Sequence, residues 1–412
     1  MRPVAPSGLL AVTVFAACGG EPLGPISGLP RQLTVAEQKL ITSSNRFAFD
    51  LFREVARQAD PDSNVFISPL SAAMALGMTY NGARGETRVA MAEVLGLDEL
   101  TLQQANESFR SLIDLLRGLD SRVDFRLANS IWARLGFAVR PEFLDVNRKY
   151  FDARVATLDF GSPDAVSTIN AWANDNTNGK IPKVLESIGP EIVMFLINAI
   201  YFNGSWARAF DKDLTRADVF TLRGGGERAV SMMKHGAAVS LGRFRGDGLQ
   251  AVDLPYGGGA YAMTVVLPDP GNDVDSVIAG LSTAAWDDIA NGLERDSILV
   301  EMPKFRLQWG DTLNGVLRAL GMGIAFKPYE ADLSGIAGAP GDLYISYVKQ
   351  DTFVDVHEEG TEAAAVTTVG IGLVCACGPP VFRIDRPFVF AIRERFSGTI
   401  LFIGRIMNPS AS

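Results

Sequence analysis

Apolar residues recur at helical spacing in some stretches of this chain and at strand spacing in others. Phe47, Leu51, Phe52 and Val55 share one helical face, and Ser44-Asn45 before them supplies a helix cap. NVFISPLSAAMALGMTYNGARGET predicts a short strand at Val65-Phe66-Ile67, then Ser68-Pro69 and a small-residue helix to about Gly77. Ala72, Ala73 and Ala75 let that helix lie close against whatever covers it. Residues 102–119 predict an amphipathic helix, RLANSIWARL alternates as a strand, and PEFLDVNRKYFDARVATLDF predicts a helix and a strand with a break near Ala153. Residues 167–178 are helical again, ending at Gly179. MFLINAIYFNGSWARAF is apolar until Asn203-Gly204, the pattern of a central strand. Strands are predicted at 250–254, 262–267 and 297–302, followed by a helix at 312–321, the segment DLYISYVKQDTFVDV, and closely spaced strands between Val381 and Ile403. Helices come first and strands mostly later, with no βαβ repeat, linker or internal repeat. That order predicts one mixed α+β domain with antiparallel sheets.

One stretch departs from the rest. HEEGTEAAAVTTVGIGLVCACGPP carries no charge after Glu362. At period two, Thr361, Ala363, Ala365, Thr367, Val369, Ile371 and Leu373 fall on one face, small residues first and larger ones later. Glu362, Ala364, Val366, Thr368, Gly370 and Gly372 fall on the other. Glycines are poor material for a strand that is always formed. The pattern suits a segment that is loop at one time and strand at another.

Composition narrows the classes. The chain has 412 residues, 47% of them hydrophobic, enough for a sizeable core, and a net charge of -9. An acidic body with no run of Lys or Arg gives no reason to expect nucleic acid or an anionic membrane surface as partner. At the N-terminus, Arg2, the short apolar run of residues 9–17 and Cys18 predict a processing segment. FAAC-GG resembles a bacterial lipoprotein cleavage box, with Phe15 where an aliphatic residue is usual. Residues 1–17 then form a signal peptide, Cys18 carries lipid, and residues 18–41 form a tether. An ordinary secretory signal cut nearby is the alternative, and either places the protein outside the cytoplasm. With Cys18 acylated, only Cys375 and Cys377 remain as thiols, so no disulfide framework is expected.

Catalytic chemistry is hard to find. The GGG clusters at 224–226 and 257–259 lack the GK[ST] ending of a phosphate loop and are turns. His357-Glu358-Glu359 lacks the second histidine of a zinc-binding helix, and no Gly-x-Ser-x-Gly elbow accompanies His235 or His357. Cys375-Ala376-Cys377 has one intervening residue, which fits neither a thioredoxin-like pair nor half a zinc site. No enzyme activity, metal or cofactor is expected.

The chain resembles the serpin family over residues 45–409, through NVFISPLSAAMALGMTYNGARGET, INAWANDNTNGKI, LINAIYFNGSW, EMPKF, EEGTEAAA and RPFVFAIRERFSGTILFIGRIMNP. The resemblance implies an α+β serpin fold over residues 42–409, with three β-sheets, about nine helices and an exposed reactive-centre loop at about 358–380. It implies an inhibitor whose loop is cleaved by a serine protease and then inserts into the central sheet, holding the protease as an acyl-enzyme. The intact protein is then a metastable monomer with a risk of loop-sheet polymerisation, and it meets a membrane only through the lipid anchor. The hinge would be Glu359, Gly360, Thr361, Glu362, Ala363, Ala364 and Ala365; its small alternate residues can enter a core while Glu362 stays solvated.

Other positions carry over singly. Ser68, Ser71 and Asn198 match the shutter beneath the sheet, Gln350 falls where the family's shutter histidine is usual, and Trp206 matches the breach tryptophan. Counting forward from Gly360 puts the reactive bond at Val374–Cys375, and counting back from Arg386-Pro387-Phe388 puts it at Ala376–Cys377. Cys375–Ala376 lies between, and the period-two pattern through Leu373 favours the earlier site. None of these residues is basic, which points to elastase-like or subtilisin-like rather than trypsin-like targets. A non-inhibitory binding module and an inhibitor of cysteine proteases are the alternatives.

Overall fold

The computed structural model describes residues 24–246, 248–361 and 378–410. Cys18, Glu362, Ala363, Ala364, Ala365, Val374, Cys375, Ala376 and Cys377 lie outside these residues.

The chain opens with α1 (Val35–Gln58), β1 (Val65–Ile67), α2 (Pro69–Tyr80), α3 (Gly85–Leu95) and α4 (Leu102–Arg117). Next come β2 (Val123–Arg134), α5 (Pro141–Phe151), β3 (Ala153–Leu158), α6 (Pro163–Asn176) and β4 (Met194–Ser205). A run of strands follows: β5 (Asp211–Thr221), β6 (Glu227–Lys234), β7 (Val239–Gly246), β8 (Leu249–Tyr256) and β9 (Tyr261–Pro268). After α7 (Val274–Gly280) and α8 (Thr283–Asn291) come β10 (Glu294–Pro303), β11 (Phe305–Thr312) and α9 (Asn314–Leu317). The last strands are β12 (Lys349–His357), β13 (Gly360–Thr361), β14 (Val381–Arg383), β15 (Phe388–Glu394) and β16 (Ile400–Ile406).

Local chemistry explains the first helices. Thr34 and Glu37 form a reciprocal capping box, so α1 starts ten residues before the cap expected at Ser44-Asn45. Burial opposes ionisation of Glu37, but hydrogen bonds from Arg31, Ser111 and Thr34 outweigh it and lower its carboxyl to about 2. The boundary expected between a tether and a domain at residue 41 therefore falls inside a helix. Ser68 caps α2, with Pro69 at its first turn, where the missing N–H costs nothing. The helix expected at 312–321 is shorter: α9 ends at Leu317, a wider turn follows, and Gly321 at φ 118° breaks the run.

Among the described residues there are nine α-helices and two sheets. One sheet has ten strands in the order β1-β16-β15-β9-β8-β7-β10-β6-β5, with β14 paired to β10. The other has six, in the order β11-β12-β13-β4-β2-β3. The expected third sheet is not separate. Residues 294–298 of β10 pair with β7 while residues 301–303 pair with β6, and this one strand joins both groups by hydrogen bonds. The main core lies between the two sheets and the helices α1, α2 and α4; a smaller cluster around Trp132 and Trp172 fills the space between the six-stranded sheet and α6. No helix of the described residues is long and apolar enough to cross a membrane.

Candidate functional site: an incomplete sheet and its upper end

Among the described residues, the six-stranded sheet is bridged between β4 and β12 at one end only. β13 pairs on one side with β12, Thr361 opposite Val356 and Gly360 opposite His357. On its other side it pairs with β4, Thr361 opposite Gly204 and Gly360 opposite Ser205. Both pairings are antiparallel, so β12 and β4 run parallel to each other, and β13 separates them for two residues. Beyond it, a cavity of about 380 Å³ lies between residues 194–200 of β4 and residues 347–352, floored by Ser71, Ala72, Ala75, Leu76 and Thr79 of α2. A smaller void lined by Ile200, Phe202, Val354 and Thr361 continues it toward β13. Directly opposite residues of a sheet share a face, and Ile200 and Phe202 belong to the main core while Phe195 and Ala199 face the α6 cluster. The even-numbered residues of β4 therefore face inward, Asn198 among them.

Of the residues expected at the shutter, Ser71, Asn198 and Gln350 line this cavity, and Ser68 lies behind them, bonded to Gln350 and Ser71. Ser68 Oγ accepts from Ser71 N at 3.3 Å and donates to Leu401 O at 2.8 Å, tying the start of α2 to β16. Gln350 Nε2 donates to Ser68 O at 2.7 Å, and Gln350 Oε1 accepts from Ser68 N at 3.0 Å, so the amide is matched on both edges. Asn198 Nδ2 donates to Asn129 Oδ1 at 2.8 Å. Asn198 Oδ1 is buried and has no hydrogen-bond partner among the described residues. That acceptor is costly where it stands, unless something arrives to donate to it.

At the upper end, Trp206 Nε1 donates to His357 O at 2.9 Å and its backbone N donates to Glu359 O at 2.9 Å. Its ring stacks on Tyr256 at 4.4 Å. Thr361 is 2% exposed and shares a 2.7 Å hydrogen bond with the Tyr256 hydroxyl. Gly204 is needed beside it, because a Cβ there would stand 3.0 Å from the Tyr256 ring. Glu358 is buried, with Lys304 Nζ at 2.9 Å and the Thr215 hydroxyl at 2.7 Å. Burial works against its charge, but these partners outweigh it and hold the carboxyl below its ordinary range. Glu359 pairs with Lys212. Trp206, Glu359, Gly360 and Thr361 thus come together at the β13 end, and Ser71, Asn198 and Gln350 along the cavity, with Ser68 bonded to Gln350 and Ser71.

Sequence reasoning did not reach Tyr256, Thr215, Lys212 or Lys304, whose roles depend on strands far apart in the chain. The far side of the loop is held by Arg383 of β14, which pairs with Asp218 at 2.8 Å and Glu301 at 2.7 Å. Neither histidine is placed for catalysis. His235 is 2% exposed and stacked on Phe210, and His357 Nδ1 accepts from Glu359 N at 3.3 Å. No group of metal-ligating side chains occurs among the described residues.

The family profile described as Serpin (serine protease inhibitor) matches residues 42–409. Leukocyte elastase inhibitor of Homo sapiens is 34% identical over 387 residues, covering 90% of this chain and 100% of its own. An uncharacterised serpin-like protein of Thermococcus kodakarensis is 34% identical over 379 residues, 90% of this chain and 86% of its own. Among solved structures, a thermophilic serpin, Tengpin, in its native state gives a TM-score of 0.82 at 32% identity, covering 93% of this chain and 97% of that one. The latent state of Tengpin gives 0.77 at 30% identity, covering 91% and 98%.

Proposed function

The chain belongs to the serpin family, whose members are inhibitors and not enzymes, and on that premise we propose that it traps serine proteases as a suicide substrate. The protease serine hydroxyl attacks the carbonyl of the reactive bond, the amine of the following residue leaves with a proton, and an ester joins protease to loop. Insertion of the freed loop then holds that ester before water can cleave it.

The observation that carries this reading is the strand position left open between β4 and β12, beginning at Thr361. Continuing both registers past Thr361 sets Ala363 opposite Phe202 and Val354, and Ala365 opposite Ile200 and Thr352. Thr367 follows opposite Asn198 and Gln350, where its hydroxyl can donate to the Asn198 Oδ1 that lacks a donor. Small residues come first, where the slot is narrow, and larger ones later, beside the 380 Å³ cavity. Each ladder bond formed this way is withheld until cleavage.

The target class follows from Val374, Cys375 and Ala376, which suit the shallow apolar pocket of elastase-like or subtilisin-like proteases. That one relative is named a leukocyte elastase inhibitor agrees with this choice. The test is incubation of the purified chain with elastase, subtilisin and trypsin, followed by denaturing electrophoresis. An adduct stable to heat and SDS is expected with elastase or subtilisin. The mass of the released C-terminal peptide separates Val374–Cys375 from Cys375–Ala376 and Ala376–Cys377. Clean nicking without any adduct would overturn the reading in favour of a non-inhibitory binding module, and an adduct with trypsin alone would overturn the target class.

A further inference from the structure

Glu362 is the one charged residue between Thr361 and Arg383. Thr361 faces inward, 2% exposed and bonded to the Tyr256 hydroxyl, so the residue after it faces outward wherever the strand continues. Continuing the two registers of β13 by one residue sets Glu362 between Asn203 of β4 and Asp355 of β12. Farther out in the same row, the ladders place Asp124 of β2 beside Asn203 and Arg306 of β11 beside Asp355. A carboxylate entering this row meets Asp355 directly opposite, a like-charge pair that opposes entry. Asp124 is already matched by Arg126 at 2.6 Å. A small neutral residue would enter with less resistance, so a charge at this position calls for a receiver.

Two cations stand over the next outward row. Phe353 projects from the outward face of β12, between the buried residues Thr352 and Val354. Lys180 Nζ lies 5.1 Å from the centre of its ring, and Arg306 Cζ lies 5.1 Å from it as well, so one aromatic ring gathers both charges. Arg306 points outward because Phe305 and Leu307 on either side of it alternate into the core. Lys180 comes from the connection between α6 and β4. Asn178 and Gly179 take φ 52° and 79°, which turns the chain out of α6, and Lys180 N donates to Thr177 O at 3.0 Å. Asn178 Nδ2 donates to the Tyr201 hydroxyl at 3.1 Å, as Asn203 Nδ2 does at 3.1 Å. The connection therefore reaches from Tyr201 of β4 to Phe353 of β12, one outward row from Asn203 and Asp355. Such rows are about 7 Å apart, within reach of a Lys or Arg side chain.

We propose that Lys180 and Arg306 form a carboxylate-receiving site for Glu362, which draws the first hinge residues into the open strand position in the correct register. This rests on the inhibitory reading above, since a receiver for Glu362 has a use only where the loop enters the sheet. With Glu362 in place, Lys180 and Arg306 balance Asp355 and Glu362 around one ring. A slip of one residue would turn the Glu362 carboxylate into the core and leave both cations facing Ala363, so the site also selects the register. Ion pairs at a surface are individually modest, but this one acts where a modest effect counts. Insertion competes with hydrolysis of the acyl-enzyme, so a few-fold change in the rate of entry becomes the same change in the ratio of trapped to released protease.

The experiment measures how many chains are consumed per protease trapped, using whichever of elastase and subtilisin forms the adduct with the parent. The variants are Glu362→Gln, Lys180→Gln combined with Arg306→Gln, Arg306→Glu alone, and Arg306→Glu combined with Glu362→Lys. The two neutral variants are each expected to consume about threefold more chain per adduct, with the rate of loop cleavage unchanged. Arg306→Glu alone should do worse than either, and the charge exchange should recover most of the parent's ratio. Raising the salt from about 0.05 to about 0.5 M should bring the parent toward Glu362→Gln and leave that variant where it is. The intact proteins should melt alike, because Lys180 and Arg306 lie at the surface, whereas after a single verified nick the variants should melt below the nicked parent. If Glu362 only stays in solvent, Gln at that position traps at least as well as the parent and salt changes nothing. That result, or an exchange no better than Arg306→Glu alone, would overturn the receiving site while leaving the inhibitory reading in place. A parent that forms no adduct with any of the proteases would instead overturn the inhibitory reading, and the receiving site with it.

Discussion

His235 is buried beside the backbone that carries Glu358. Its ring lies 4.2 Å from that of Phe210, its Nε2 is 3.3 Å from Arg208 O, and its Nδ1 has no partner among the described residues. Phe210 N in turn donates to Glu358 O. Burial lowers the imidazole pKa to about 4, the Arg208 carbonyl offsetting part of the effect. An unfolded histidine titrates near 6.5, so between about pH 6.5 and 4 the unfolded state binds more protons than the folded one. Stability from this residue is therefore complete above the unfolded value and is lost as pH falls toward 4. The shift from the ordinary 6.5 to about 4 corresponds to about 3 kcal/mol at the acid end. Replacing His235 by Phe keeps an aromatic stack on Phe210 and removes the titration. Denaturant unfolding from pH 7 to 4 should show the parent losing more stability than His235→Phe by an amount of that order, while acid effects from the carboxylates shared by both proteins cancel. Parallel pH profiles would remove His235 from the acid response. Gln350 makes the complementary point at the shutter, because an amide bonded to both Ser68 N and Ser68 O has no proton to gain.

β13 is two residues long, yet its register governs everything that could follow it. If the register of its pairings with β4 and β12 were continued past Thr361, as the proposed insertion requires, Ala365 would come between Ile200 and Thr352, on the inward face. Ala365→Arg should leave the loop open to cleavage while placing an unpaired guanidinium on that face, which stalls entry. The expected result is a shift from covalent trapping to simple turnover of the chain as substrate, read as the ratio of adduct to nicked product. Trapping by Ala365→Arg equal to the parent's would remove insertion along this register. The apolar run of β4 was legible in the chain as a local pattern; the alternation from Thr361 to Leu373 is also local, but past Thr361 it lies outside the described residues. What stayed hidden were elements without an apolar stripe of their own. The buried residues of α3 are only Thr87, Met91, Ala92 and Leu95, and Val89 between them is 56% exposed. β5 is an edge strand in which Phe220 is the one buried position, and its charged residues mask the strand period. The ion pairs at Glu358 and Arg383 were hidden for a different reason, since each joins strands that only the fold brings together.

At the scale of the whole molecule, the described residues finish one sheet and leave a gap in the other. The ten-stranded sheet is continuous through β10, and its inner strands β9, β15 and β16 are buried along their whole length. The six-stranded sheet has its strands in order but lacks pairing between β4 and β12 beyond Thr361 among the described residues, and a void remains there. On the proposed reading, such an arrangement persists only while the material that could complete it is kept out, and the uncut chain between Thr361 and Gly378 would help to keep it out. Both feet are fixed: Glu358 and Glu359 by Lys304 and Lys212 on one side, and Arg383 by Asp218 and Glu301 on the other. On the proposed reading, cutting the loop would free one foot from the other, so residues after Thr361 could run down the open position without pulling β14 from β10. Roughly ten new ladder bonds at about 1 kcal/mol each would add on the order of 10 kcal/mol, and at about 2 °C per kcal/mol for a chain of this size the thermal midpoint should rise by about 20 °C. The measurement is a thermal melt before and after a single nick between residues 373 and 377, verified by mass. The nicked protein should also lose any tendency to form polymers on gentle heating, because the edge that another molecule's loop would fill is then occupied. A nicked chain that melts where the intact one does would mean that the open position is never filled from within, and the cavity beneath Asn198 would then need a different occupant.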